Sequence, residues 1–126
     1  MQYINRLSDY EGRRESAVTF GNFDGLHTGH QKLVEQVQRL GEAKGLASIV
    51  CAFDMQPLWE RIGKTPRMLM TGRERQRQLS EKVNVLVECP FTLEFSKIHA
   101  EEFIRDIVSK RLCARYVVVG TDFQVG

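Results

Sequence analysis

Two imidazoles three residues apart, His27 and His30, stand among glycines at 21, 25 and 29, in the run Gly-Asn-Phe-Asp-Gly-Leu-His-Thr-Gly-His over 21–30. Each ring can donate a hydrogen bond to a phosphate oxygen, and an i, i+3 pair on a helical turn shares roughly one face. Glycine lets backbone approach a ligand closely or take positive φ. Donors that converge, with room beside them, suit a polyphosphate. Two other readings stand beside this one: helix-start histidines satisfied by local backbone, and a metal site. Zinc needs further ligands, and His99 sits on another segment with no Cys or His at ligand spacing, so no protein-held metal is expected.

Elements on either side must aim those donors. Ala17, Val18, Thr19 and Phe20 favour a buried strand, and Gly21, Asn22, Asp24 and Gly25 favour a sharp turn, with Asp24 expected to cap it and secondarily to orient ligand or metal-bound water. Leu33, Val34, Val37 and Leu40 then recur at helical spacing. The first turn of such a helix offers unpaired N–H groups and a partial positive charge, both of which welcome an anion.

Along the chain, strands are expected at 17–23, 47–53, 83–88 and 116–120, helices at 29–44, 72–82 and 100–112, and a loop at 63–71, with Gly41 and Gly45 ending the first helix. Near-continuous apolar strands alternating with helices predict an α/β, Rossmann-like parallel sheet with helices on both faces. Ligands of such sheets gather beyond the carboxyl ends of the strands, where 21–30, 53–57 and 120–126 would meet.

The 126 residues suit one domain, 42% of them are apolar, and 18 basic against 16 acidic residues leave a net charge of +2. That charge argues for neither nucleic acid nor an anionic membrane. Arg73, Arg75 and Arg77 alternate with Glu74, Gln76 and Gln78, a pattern expected to form a solvated face. Cys51, Cys89 and Cys113 read as reduced core residues, and the polar start of the chain lacks a signal-like run, so a cytoplasmic protein is expected. Gly63-Lys64-Thr65 is not a P-loop, because Leu58 occupies the position of its first glycine. Met55 and Trp59 are weak candidates for lining a pocket, with core packing the commoner role.

The run Thr19 to His30 resembles the T-x-G-N-F-D-G-x-H-x-G-H signature of bacterial FAD synthetases, the FMN adenylyltransferase half of bifunctional riboflavin kinase/FMN adenylyltransferases. H-x-G-H alone would mark only the wider nucleotidyltransferase superfamily. Residues 91–104 resemble the family's F-x-x-x-F-S-x-x-S-A-E-E-F-I segment, 117–126 its V-V-V-G-x-D-F-R-F-G, and 68–71 its R-L-L-T.

The resemblance implies transfer of AMP from ATP to FMN, giving FAD and pyrophosphate, with Mg2+ sharing the charge. It implies that His27 and His30 are catalytic donors. Gly21, Asn22, Phe23, Asp24, Gly25 and Gly29 would take the ATP phosphates, and Phe53, Pro57, Asp122 and Phe123 the flavin. Of the family's F-x-P-H-P, Phe53-Asp-Met-Gln-Pro57 keeps the first and last positions, and Gln124 and Val125 replace an arginine and a phenylalanine. The family continues to an I-S-S-T-x-I-R motif and a riboflavin kinase domain, so residues 1–126 are expected to be a C-terminally incomplete adenylyltransferase domain, fused to that kinase in the full-length protein. Two alternatives stay open: a nucleotidyltransferase acting on another phosphorylated acceptor, and a catalytically silent nucleotide-binding domain.

Overall fold

The computed structural model of the chain describes residues 1–21, 28–63 and 72–120. Five strands form one sheet: β1 (Gln2–Ile4), β2 (Ser16–Gly21), β3 (Ala47–Asp54), β4 (Val85–Pro90) and β5 (Ala114–Val118). Every pairing is parallel, in the order β1-β4-β3-β2-β5. From β2 the chain steps outward to β3 and β4, then returns to place β5 on the other side of β2. This reversal makes β2 the topological switch strand, beyond whose carboxyl end ligands of open α/β sheets bind.

The connections are helical: α1 (Thr28–Lys44), α2 (Gln56–Arg61), α3 (Gly72–Leu79), α4 (Leu93–Ser96) and α5 (Ala100–Glu102). α5 runs directly into a π-helical segment, Phe103–Arg111, closed by the Leu112 N–H donating to the Ile107 carbonyl at 2.9 Å. The expected helix at 100–112 is therefore present with a wider turn. Strand limits shift by up to two residues from expectation. β1 is an addition, since three residues are too few to show a strand period in sequence.

Side-chain alternation divides the core between the two faces. Val18, Phe20, Ile49, Cys51, Val85, Val87 and Cys89 face the π-helical segment through Phe103 and Leu112. Val50, Ala52 and Leu86 meet Val34 of α1 and Leu79 of α3, while Ala17 meets Val37. Helices thus cover both faces, as expected for strands this apolar.

Gly45, at φ +67°, ends α1 in the left-handed conformation that glycine adopts without penalty. Gly41 does not end the helix. It lies within α1, where a Cβ would stand 3.0 Å from the Leu46 carbonyl oxygen, so its role is to let the helix approach the start of β3.

Candidate functional site

β2 ends at Gly21, and α1 opens with Thr28, Gly29 and His30. Gly29 is exposed and His30 half-buried, both in the first turn of a 17-residue helix whose N-terminus lies on the carboxyl side of the sheet. The first-turn N–H groups and the helix dipole give that end a partial positive charge that attracts anions. Gly21 pairs in register with Ala52, so Phe53 and Asp54 project just beyond it on the neighbouring strand. His27, Asn22, Phe23, Asp24, Gly25, Asp122 and Phe123 lie outside the described residues.

On the π-helical face the same strand ends carry an aromatic group. Phe53 stacks on Phe20 with centroids 6.2 Å apart and planes at 20°. It also meets Phe91 edge-on at 5.7 Å and Phe95 at 6.0 Å. Phe103 adds contacts to Phe20 at 5.2 Å and to Phe95 at 6.4 Å. Two backbone devices fix these rings. The Phe91 N–H donates to the Asp54 carbonyl at 2.7 Å, tying the ends of β3 and β4 together. The Thr92 hydroxyl accepts from the Phe95 N–H at 3.1 Å, capping α4.

Phe53 therefore lies at the centre of this aromatic group. Pro57 is half-buried in the first turn of α2, whose opening is held by Asp54 Oδ1 accepting from the Gln56 N–H at 3.1 Å. Met55 and Trp59 are half-buried on the same short element. Phe91, Phe95 and Phe103 are members of this aromatic group that sequence reasoning did not assign. Their four- and eight-residue spacings carried the signal, but only the fold shows that Phe91 and Phe95 meet Phe53 and that Phe103 joins them through Phe20 and Phe95.

Beneath the α1/α3 side lies a buried ion pair. Arg75 Nη1 donates to Glu88 Oε1 at 2.9 Å and to Oε2 at 3.2 Å, with the side chains 3% and 9% exposed. This corrects the expectation of a solvated arginine face. Arg73 and Arg77 are exposed, but helical rotation turns Arg75 inward between α3 and β4, where Glu88 replaces water as its partner. Burial pushes the Glu88 carboxyl above its ordinary range, and Arg75 opposes that rise. The Tyr3 phenol on β1 has its pKa raised, first by burial and then by the Glu88 charge.

Two cavities frame the sheet. One of about 490 Å³ is lined by Gln2, Glu42, Ser48, Lys82 and Asn84, at the amino ends of the strands. The other, of about 330 Å³, is lined largely by apolar groups, among them Leu7, Phe95 and Ile98, and it adjoins the aromatic group. Strand polarity makes the smaller one relevant. No group of three or more His, Cys, Asp or Glu suited to a metal is found among the described residues.

A five-stranded parallel sheet with β2 as its switch strand and helices on both faces is an α/β fold of the nucleotidyltransferase type. The crystal structure of a macrolide-efflux protein from Streptococcus pneumoniae shares this fold, at a TM-score of 0.80 and 27% identity, over 98% of this chain and 42% of that one. The family model described as FAD synthetase matches residues 9–126, and the chain belongs to that family.

Relatives include the bifunctional riboflavin kinase/FMN adenylyltransferases of Buchnera aphidicola from Schizaphis graminum (34% identity over 88% of this chain) and of Escherichia coli K12 (36% over 86%). The FAD synthetase of Listeria monocytogenes is 30% identical over 95% of this chain. The chain spans 36% of the length of each bifunctional relative and 49% of the Listeria protein. Among the described residues no helix is long and apolar enough to cross a membrane.

Proposed function

We propose that this domain transfers AMP from ATP to the phosphate of FMN, forming FAD and pyrophosphate. One observation carries the reading: at the switch strand, the His30 end of α1 and the Phe53 aromatic group stand on opposite sides of the same strand ends. An anionic chain and a flat ring system are the two things an adenylyltransferase for FMN must hold. Family membership and the names of the relatives support the same substrates.

Nucleophile and leaving group are both phosphates, so the chemistry needs alignment and charge stabilisation rather than a covalent intermediate. His30, and His27 by its place in the motif, donate to the polyphosphate as charge builds on the departing oxygens. Gly21 at the end of β2, Asn22, Phe23, Asp24 and Gly25 after it, and Gly29 at the start of α1 take the triphosphate beside the amides of α1. Phe53 and Pro57, with Asp122 and Phe123 from the segment after β5, hold the flavin.

Magnesium binds through one or two carboxylates together with phosphate oxygens. The donor set fits an ion carried mainly by the triphosphate, with Asp54 the described carboxylate at the end of β3. When bound, the ion offsets charge on the pyrophosphate. In this reading the domain works in the cytoplasm, joined to a riboflavin kinase domain as in the bifunctional relatives.

The replacements at residues 54–56 and at Gln124 and Val125 favour a second reading, a nucleotidyltransferase for another phosphorylated acceptor. The test is FAD formation from FMN and ATP, measured on the full gene product and on residues 1–126. FAD with stoichiometric pyrophosphate from the full product supports the proposal. Binding of ATP with neither FMN binding nor FAD formation supports the second reading.

A further inference from the structure

The 330 Å³ cavity joins apolar walls to two guanidinium groups that no carboxylate neutralises among the described residues. It lies between the end of β4, α4, the π-helical segment and the single 3-10 turn Leu7–Asp9 that follows β1. Leu7, Pro90, Phe95, Ile98 and Ile107 supply the apolar surface, and Arg6 and Arg111 bring the charge. Small-molecule sites run from about 300 to 1,000 Å³, so this volume suits a short chain or a single ring.

Arg111 is half-buried and fixed in place. Its Nη1 donates to the Ser8 carbonyl at 3.0 Å and to the Tyr10 carbonyl at 3.2 Å, which braces the guanidinium against the segment after β1. Those neutral acceptors hold the group without offsetting its charge, and Nη2 and Nε keep donors with no partner among the described residues. Two acidic groups border Arg111 on its other side, in a depression shared with Lys110. Asp106 is engaged there by Arg105 at 3.0 Å and by Lys110 at 3.7 Å, and Glu11 is exposed. Arg6 is exposed at the cavity.

A braced guanidinium beside hydrocarbon favours a ligand that brings its own anion, and the planar fork takes a carboxylate through paired hydrogen bonds. We propose that this cavity binds an aliphatic monocarboxylate, its carboxylate held by Arg111 and Arg6 and its alkyl chain lying against Leu7, Phe95, Ile98 and Ile107. The site uses none of the residues assigned above to ATP or the flavin. It shares Phe95 with the aromatic group, so the alkyl chain touches a ring whose centroid is 6.0 Å from that of Phe53.

The test is titration of the full gene product with hexanoate, octanoate and octanol, read by calorimetry and by the methyl NMR signals of Leu7, Ile98 and Ile107. Octanoate should saturate one site and shift those three signals. Each methylene gained between hexanoate and octanoate should tighten binding about fourfold. Octanol, which lacks the charge, should bind at least about tenfold more weakly than octanoate. Arg111→Gln should bring the two affinities together. Because Arg111 also braces the segment after β1, Arg6→Gln at an exposed position serves as the second variant, and it should weaken octanoate while leaving octanol unchanged. The comparison of ligands is made on the unmutated protein and so does not depend on a variant folding. Absence of octanoate binding, equal affinity for octanoate and octanol, no gain with chain length, or methyl shifts confined to residues outside this cavity would overturn the proposal.

Discussion

The two sides of the sheet at the carboxyl ends of β2 and β3 are built from opposite chemistries. On the α1/α3 side are His30 in the first turn of α1 and, beneath it, the Arg75–Glu88 pair. On the other are five phenylalanine rings and an apolar cavity. Strand alternation alone separates them: Ala52 faces α1 and α3, and Phe53, the next residue, faces the rings. A register slip of one residue would exchange the two surfaces, so the pairing of β2 with β3 sets which side is polar and which is aromatic.

The contrast can be broken most severely beneath the polar side. Arg75→Leu strands the buried Glu88 charge, and a denaturation curve should show a loss of about 3–5 kcal/mol, with replacement of both partners by apolar residues recovering much of it. A loss under 1 kcal/mol would mean that the pair contributes little to the polar wall.

His30→Ala should lower adenylyl transfer by about 10²- to 10³-fold, as removal of one oxyanion donor does, with an unchanged circular dichroism spectrum. Phe53→Ala removes three ring contacts of about 0.5–1.5 kcal/mol each. It should weaken FMN affinity by about tenfold or more while sparing ATP.

The smallest effect is a slope. The folded Glu88 carboxyl titrates above its unfolded value, so the native state holds the extra proton. Its contribution to stability is full below the ordinary carboxylate range and fades as pH rises through the raised folded value. Glu88→Gln should flatten that decline in a pH series of unfolding curves.

Much of the polar side was legible in sequence because its parts are contiguous. Gly21, Gly29, His30 and the first apolar helix stripe fall within 21–40, and α1 begins one residue from where the pattern places it. The parallel sheet was legible too, since uninterrupted apolar strands separated by helices have few other solutions. The aromatic side was not. Phe20, Phe53, Phe91, Phe95 and Phe103 come from separate segments, and only strand order and the Phe91–Asp54 hydrogen bond bring them together. Arg75 misled for a related reason: alternating charges look solvated until a carboxylate on another strand provides a buried partner.

The most direct test of this division of labour is calorimetric titration of the protein with ATP and FMN separately, in the unmutated chain, His30→Ala and Phe53→Ala. The account predicts that the histidine variant loses affinity for ATP alone and the phenylalanine variant for FMN alone. Equal losses for both ligands in either variant, or no loss in both, would contradict it.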